Sequence, residues 1–106
     1  MNVLDLQRLT VLDPDGGLGL VDKVVASFLR DAVSAIEAIR AAHERGDRAQ
    51  IARLAHTLRG ASLNVGAERL ARCCGELEHG GGSIDSLDPE LREIRQALER
   101  RRESVA

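Results

Sequence analysis

Aromatic side chains are almost missing from this sequence: Phe28 stands alone, with no Trp or Tyr in 106 residues. A core must therefore come from Leu, Ile, Val and Ala, a palette that suits packed helices better than the aromatic and β-branched mix of a sheet. The same lack removes the stacking platforms on which binders of single-stranded nucleic acid lay bases. Lysine is scarce too, with Lys23 the only one, and Arg supplies the rest of the 15 basic residues. Net charge is −2 with both signs interleaved, which argues against a protein that coats DNA or RNA through a basic patch. No apolar run reaches membrane-spanning length, and the N-terminus lacks the basic-then-apolar pattern of a signal peptide, so no membrane association and a cytoplasmic location are expected. Cysteine is limited to the adjacent Cys73 and Cys74. Neighbouring cysteines do not suit an ordinary disulfide, and without a matching cluster they make no zinc site. A reduced, buried pair is expected instead, with no metal bound.

What the sequence does contain is helical periodicity within one domain, 1–106. Val3, Leu4, Leu6, Leu9, Val11 and Leu12 predict a short helix over about 3–12, punctuated by Asp13-Pro14-Asp15-Gly16-Gly17. From Leu20 to Glu44, Val21, Val24, Val25, Phe28, Ala32, Ala35, Ile36 and Ile39 recur at three- and four-residue steps. Arg45-Gly46 supplies a stop. Asp47 is a candidate N-cap for the next helix, with Gln50 completing a capping-box-like pair. Ile51, Leu54, Ala55, Leu58, Ala61, Ser62 and Val65 form its buried stripe, and Asn64-Val65-Gly66 its end. Ala67, Leu70, Cys73, Cys74 and Leu77 define a third helix that stops at His79-Gly80-Gly81-Gly82. Asp88 as cap and Pro89 at the first helical position predict a fourth, with Leu91, Ile94, Leu98 and Val105 inward. The expected fold is all-α: an antiparallel up-down-up-down four-helix bundle over about 18–104 plus the short N-terminal helix.

One histidine lies on the wrong face for a core residue. At about 100° per residue the stripe of the second long helix centres near Leu58, and His56 points roughly 160° away, toward solvent. Gly60 follows four residues later, on the same face. Glycine inside a helix costs on the order of 1 kcal/mol relative to alanine, so its presence needs a reason. Side chains lean toward the helix N-terminus, and a glycine at this spacing leaves the imidazole uncovered. A tight helix crossing or an early helix end would explain it as well. Arg59, three residues after His56, can turn its guanidinium toward anything attached to the ring. A displayed imidazole with open space above and a cation beside it suits a phosphoryl acceptor, because phosphoryl transfer mainly requires access and positioning. No Gly-rich phosphate loop followed by lysine is present, so no nucleotide site of its own is expected. His43 and His79 fall in last turns, where partial positive charge suits the helix dipole.

The segment Leu54-Ala55-His56-Thr57-Leu58-Arg59-Gly60-Ala61-Ser62, then Leu63-Asn64-Val65-Gly66-Ala67-Glu68-Arg69-Leu70, closely resembles the signature of histidine-containing phosphotransfer (HPt) domains. In that signature a histidine is followed by any residue, an aliphatic, a basic residue, glycine and small residues, then after a short gap Gly-Ala and a leucine. Phe28-Leu29, Gly46-Asp47 and Leu77-Glu78 extend the likeness over about residues 20–80. The resemblance implies a phosphorelay intermediate: His56 would accept a phosphoryl group from a receiver-domain aspartate and pass it to another. Arg59 would stabilise the phosphate and Gly60 would provide clearance. The basic residue is more often lysine in the family, and Arg binds as a planar fork, which alters the geometry.

The implied partners are response-regulator receiver domains and a hybrid sensor histidine kinase, with Mg²⁺ held by the receiver and no cofactor on this chain. Docking is expected on the face of Ala52, Arg53 and Leu63, with the chain acting as a monomer. It would be a phosphoryl carrier, not an enzyme with its own ATP site. Two alternatives are a scaffolding bundle in which His56 is incidental and a domain excised from a hybrid kinase. The initial Met and whole-domain length favour a freestanding protein. The dimerising histidine domain of a sensor kinase fits worse, since Thr57 and Gly60-Ala61 stand where that domain usually has an acidic residue and a proline.

Overall fold

Helices carry the whole architecture of the computed structural model, which describes residues 1–11, 13–16 and 19–105, with side chains to residue 103. Leu12, Gly17 and the Val105 side chain, all named in the sequence reading, lie outside that description. Helix α1 is Leu6–Thr10, shorter than expected. Asp5 is the reason: its carboxylate accepts the Arg8 N–H and starts the helix there. Val3 and Leu4 precede the helix, and Leu4 is buried outside it.

Helix α2, Leu20–Glu44, buries Val21, Val25, Phe28, Leu29, Ala32, Ile36, Ile39 and Ala42. These positions recur at three- and four-residue intervals and so form one continuous stripe. Its first turn is held from outside: Asp13 Oδ2 accepts the Leu20 N–H at 3.2 Å. The turn that punctuates the sequence therefore supplies the cap. At the far end Gly46 adopts φ +69°, and the Asp47 N–H closes onto the Ala42 carbonyl at 2.9 Å, a helix stop of the left-handed type.

Helix α3, Arg48–Asn64, begins at the expected cap, with Asp47 Oδ1 accepting the Gln50 N–H at 3.1 Å. Only half of the capping box forms, because the Gln50 side chain accepts from Arg53 instead of turning back. Ala55, Leu58 and Ser62 are buried, and the Ser62 hydroxyl donates to the Leu58 carbonyl at 2.7 Å, so no polar atom is stranded there. Gly66 turns the chain at φ +72°, and α4, Glu68–Glu78, returns beside α3. A Cβ at Gly66 would lie 2.3 Å from the Cβ of Asp5; only glycine lets the N-terminal segment cross this turn. Asn2 and Arg8 fix that crossing, through Arg69 N–H to the Asn2 carbonyl and Arg8 to the Leu63 carbonyl.

Helix α5, Leu87–Val105, starts earlier than Asp88 and Pro89 suggest. A 3₁₀ turn, Ile84–Ser86, leads straight into it, and Ser83 caps that turn by accepting the Asp85 N–H. Burying Leu87 completely favours the earlier start. Asp88 is thus not the cap; it pairs with Arg40 of α2. Among the described residues there is no strand. Helices α2 to α5 form the expected antiparallel bundle, with the shared core running through Ile39, Leu58, Leu70, Leu87 and Ile94. The α3–α4 hairpin is its most extensively packed pair.

Candidate functional site

His56 sits midway along α3 between buried Ala55 and Leu58, while its own side chain is 69 % exposed. The core stripe pins the backbone, and the ring projects from a rigid helix. Its Nδ1 lies 2.7 Å from Oε1 of Glu78, in the last turn of α4. Glu78 is only 19 % exposed, and its Oε2 faces Nη1 of Arg59 at 3.6 Å. One carboxylate therefore touches both His56 and Arg59. The stem of Arg59 reaches across α4 at Gly75, where an added Cβ would stand 3.8 Å from its Cδ and Nε.

At Gly60 an added Cβ would meet nothing within 4 Å, and α3 continues to Asn64. Both alternative explanations for this glycine fall away: among the described residues no helix crosses there, and α3 does not end there. The space beside His56 is open to solvent or to a partner.

Further along the exposed face Leu63 is 43 % exposed, one of the few large apolar side chains left uncovered. Arg53 is exposed and hydrogen-bonded to Gln50, and Ala52 is half-buried. All three belong to α3, the helix that carries His56. His43 and His79 stand at helix ends, His43 in the last turn of α2 and His79 as the C-cap of α4. The cysteines divide: Cys74 is buried and Cys73 only partly, so the expectation of a buried pair holds for one of them. Burial, and then the negative neighbours Cys73 and Glu78, push the Cys74 thiol up to about 12. It is an inert core group. Among the described residues no three His, Cys, Asp or Glu side chains cluster as metal ligands would.

The sequence profile of the Hpt domain matches residues 23–104. The chain belongs to the Hpt domain family. The solved structure of histidine-containing phosphotransfer protein B (HptB) from Pseudomonas aeruginosa PAO1 superposes with a TM-score of 0.78 at 25 % identity, over 95 % of each chain. No curated protein sequence is significantly similar. Among the described residues no helix of this Hpt domain is long and apolar enough to cross a membrane.

Glu78 is the member of the site that sequence reasoning missed. Two signals pointed to it. A carboxylate in the last turn of a helix sits against the negative end of the helix dipole, so its placement needs another partner. Counting back across the turn at Gly66 also brings the end of α4 opposite the middle of α3, since the two helices are antiparallel neighbours.

Proposed function

We propose that His56 is the phosphoryl-carrying residue of this Hpt domain, a histidine phosphotransfer module of a two-component phosphorelay. The observation that carries the assignment is the environment of the ring: displayed on a rigid helix, held at Nδ1 by Glu78, with Arg59 adjacent and Gly60 leaving space above it. Among the described residues His43 and His79 are exposed and make no ion pair or side-chain hydrogen bond of this kind.

The Nε2 lone pair attacks phosphorus of a receiver aspartyl phosphate as the P–O bond to the aspartate breaks. The carboxylate departs with the bonding electrons, and the Nδ1 proton stays on the ring. Such a transfer passes through a loose, in-line transition state that needs positioning and charge compensation more than acid–base chemistry. Arg59 supplies positive charge for the phosphoryl oxygens. Mg²⁺ and the aspartate belong to the receiver, which docks over Ala52, Arg53 and Leu63, with the Hpt domain engaging as a monomer in the cytoplasm. A scaffolding bundle would give no reason for Gly60.

The test uses a receiver domain carrying labelled phosphate. The wild-type chain is expected to take up acid-labile label, and His56→Gln to take up none while keeping its helical circular dichroism. Equal labelling of the two proteins would remove the assignment.

A further inference from the structure

Helices α2 and α5 are fastened to each other by two ion pairs that leave a groove between the helices. Toward one end Arg40 meets Asp88, and toward the other Arg101 donates to Asp22 at 2.7 Å. Beside the Arg40 pair the seam opens into a groove of about 400 Å³. Its apolar lining is Val33, Ile36 and Leu91, the last two being core residues. Arg92 and Arg95 stand on the α5 wall and Glu37 on the α2 wall, all three exposed. Among the described residues these three side chains make no ion pair or side-chain hydrogen bond. Two free guanidinium groups against one free carboxylate give the groove a positive rim, on a chain whose net charge is −2.

The walls dictate what fits. Both are helices whose interior backbone groups are already bonded, so an extended peptide finds no strand edge to pair with. A helix brings its own hydrogen bonds and can lay a row of apolar side chains along such a groove. Carboxylates flanking that row would meet Arg92 and Arg95, whose forked guanidinium groups accept them bidentately. A second copy of this chain has no such helix among its described residues. The large apolar side chains it exposes are Met1, Val11 and Leu63, and Leu63, the one inside a helix, shares its face with Arg59 and Gly60. We propose that the α2–α5 groove docks an acidic amphipathic helix of a partner protein. Helix α2 packs against α3 and α5, and α4 against the same two, so this seam lies across the bundle from the α3–α4 pair that displays His56. A partner held there leaves His56 uncovered, and one molecule can be tethered and exchange phosphate at the same time. Docking itself goes beyond the acceptor assignment and does not depend on it.

The test titrates the full nitrogen-15-labelled chain with a synthetic helical peptide about five turns long. The peptide carries Leu along one face, Glu on both flanks and Ala elsewhere. Saturable shifts are expected at the amides of Val33, Glu37, Arg92 and Arg95, with those around His56 unmoved. Arg92→Glu combined with Arg95→Glu should keep its helicity, since both side chains are exposed, and should bind roughly tenfold more weakly, the scale of two exposed ion pairs. A peptide with Lys in place of Glu should weaken by a similar factor, and one with Ser in place of Leu should give no shifts. Phosphate uptake from a labelled receiver should proceed at the same rate with the groove filled. Shifts centred on His56, equal affinity for the Glu and Lys peptides, wild-type affinity in the doubly reversed variant, or no saturation would overturn the proposal. So would wild-type self-association that the double reversal abolishes, which would put a second copy in the groove. Slower uptake with the peptide bound would place it over the face of His56 and also count against the proposal. The shifts need no phosphate, so a chain that binds the peptide yet takes no label would condemn the acceptor assignment and not the groove.

Discussion

At Gly60 a methyl group would meet nothing within 4 Å, although the residue lies inside a helix. Alanine should then recover helix propensity at no packing cost, raising stability by roughly 0.5–1 kcal/mol. A longer side chain should lean back over His56 and obstruct the approach of a receiver. Gly60→Ala is therefore expected to unfold at higher urea concentration than the wild type, and Gly60→Leu to keep its helicity while exchanging phosphate more slowly. Wild-type transfer by Gly60→Leu would show that the open space has no part in function. Cys74 makes a different prediction. Its thiol is raised from an ordinary 9.0 to about 12, chiefly by burial. Between those values the unfolded chain has lost the proton that the folded one retains, so unfolding is favoured as pH rises. Stability should fall between about pH 9 and about pH 12, and Cys74→Ala should show a shallower fall. Urea midpoints for both proteins on either side of about pH 9 measure it; identical slopes would mean that Cys74 takes no part.

Among the elements, the turn between α3 and α4 is the most constrained. Gly66 combines φ +72° with a crossing so close that a Cβ would overlap Asp5. Gly66→Ala faces both a left-handed backbone and this overlap, and should lower the unfolding free energy by about 2 kcal/mol or more. Denaturant melts check this, and an unchanged midpoint would show that the N-terminal segment simply moves aside. The spans of α2 and α3 are legible in the sequence because their apolar residues repeat without interruption and Asp47 marks the boundary between them. The start of α5 is not. Asp88-Pro89 is equally at home one turn inside a helix, and burial of Leu87 together with the Ser83 cap moves the start earlier. The same limit applies to the site. His56, Arg59 and Gly60 share one helix, so helical period alone brings them together. Glu78 arrives from another helix, and its contact depends on how α4 lies against α3.

For the whole molecule, the bundle is an elongated body of 46 × 20 × 18 Å. The Hpt profile covers 23–104, and the segment before it serves a different purpose, with Leu4 and Leu9 buried and Asp5 seated on the α3–α4 turn. That segment braces the end of the hairpin that displays His56, about two turns away along α3. A face built on the most extensively packed pair of helices holds its geometry before a partner arrives, so little ordering is required on docking. On the proposed assignment this face presents a receiver with a single acceptor, His56. After exchange with a phosphorylated receiver under conditions that preserve phosphohistidine, fragment mass analysis of the chain should place the phosphate on His56. Phosphate on His43 or His79, or on no histidine, would contradict the account.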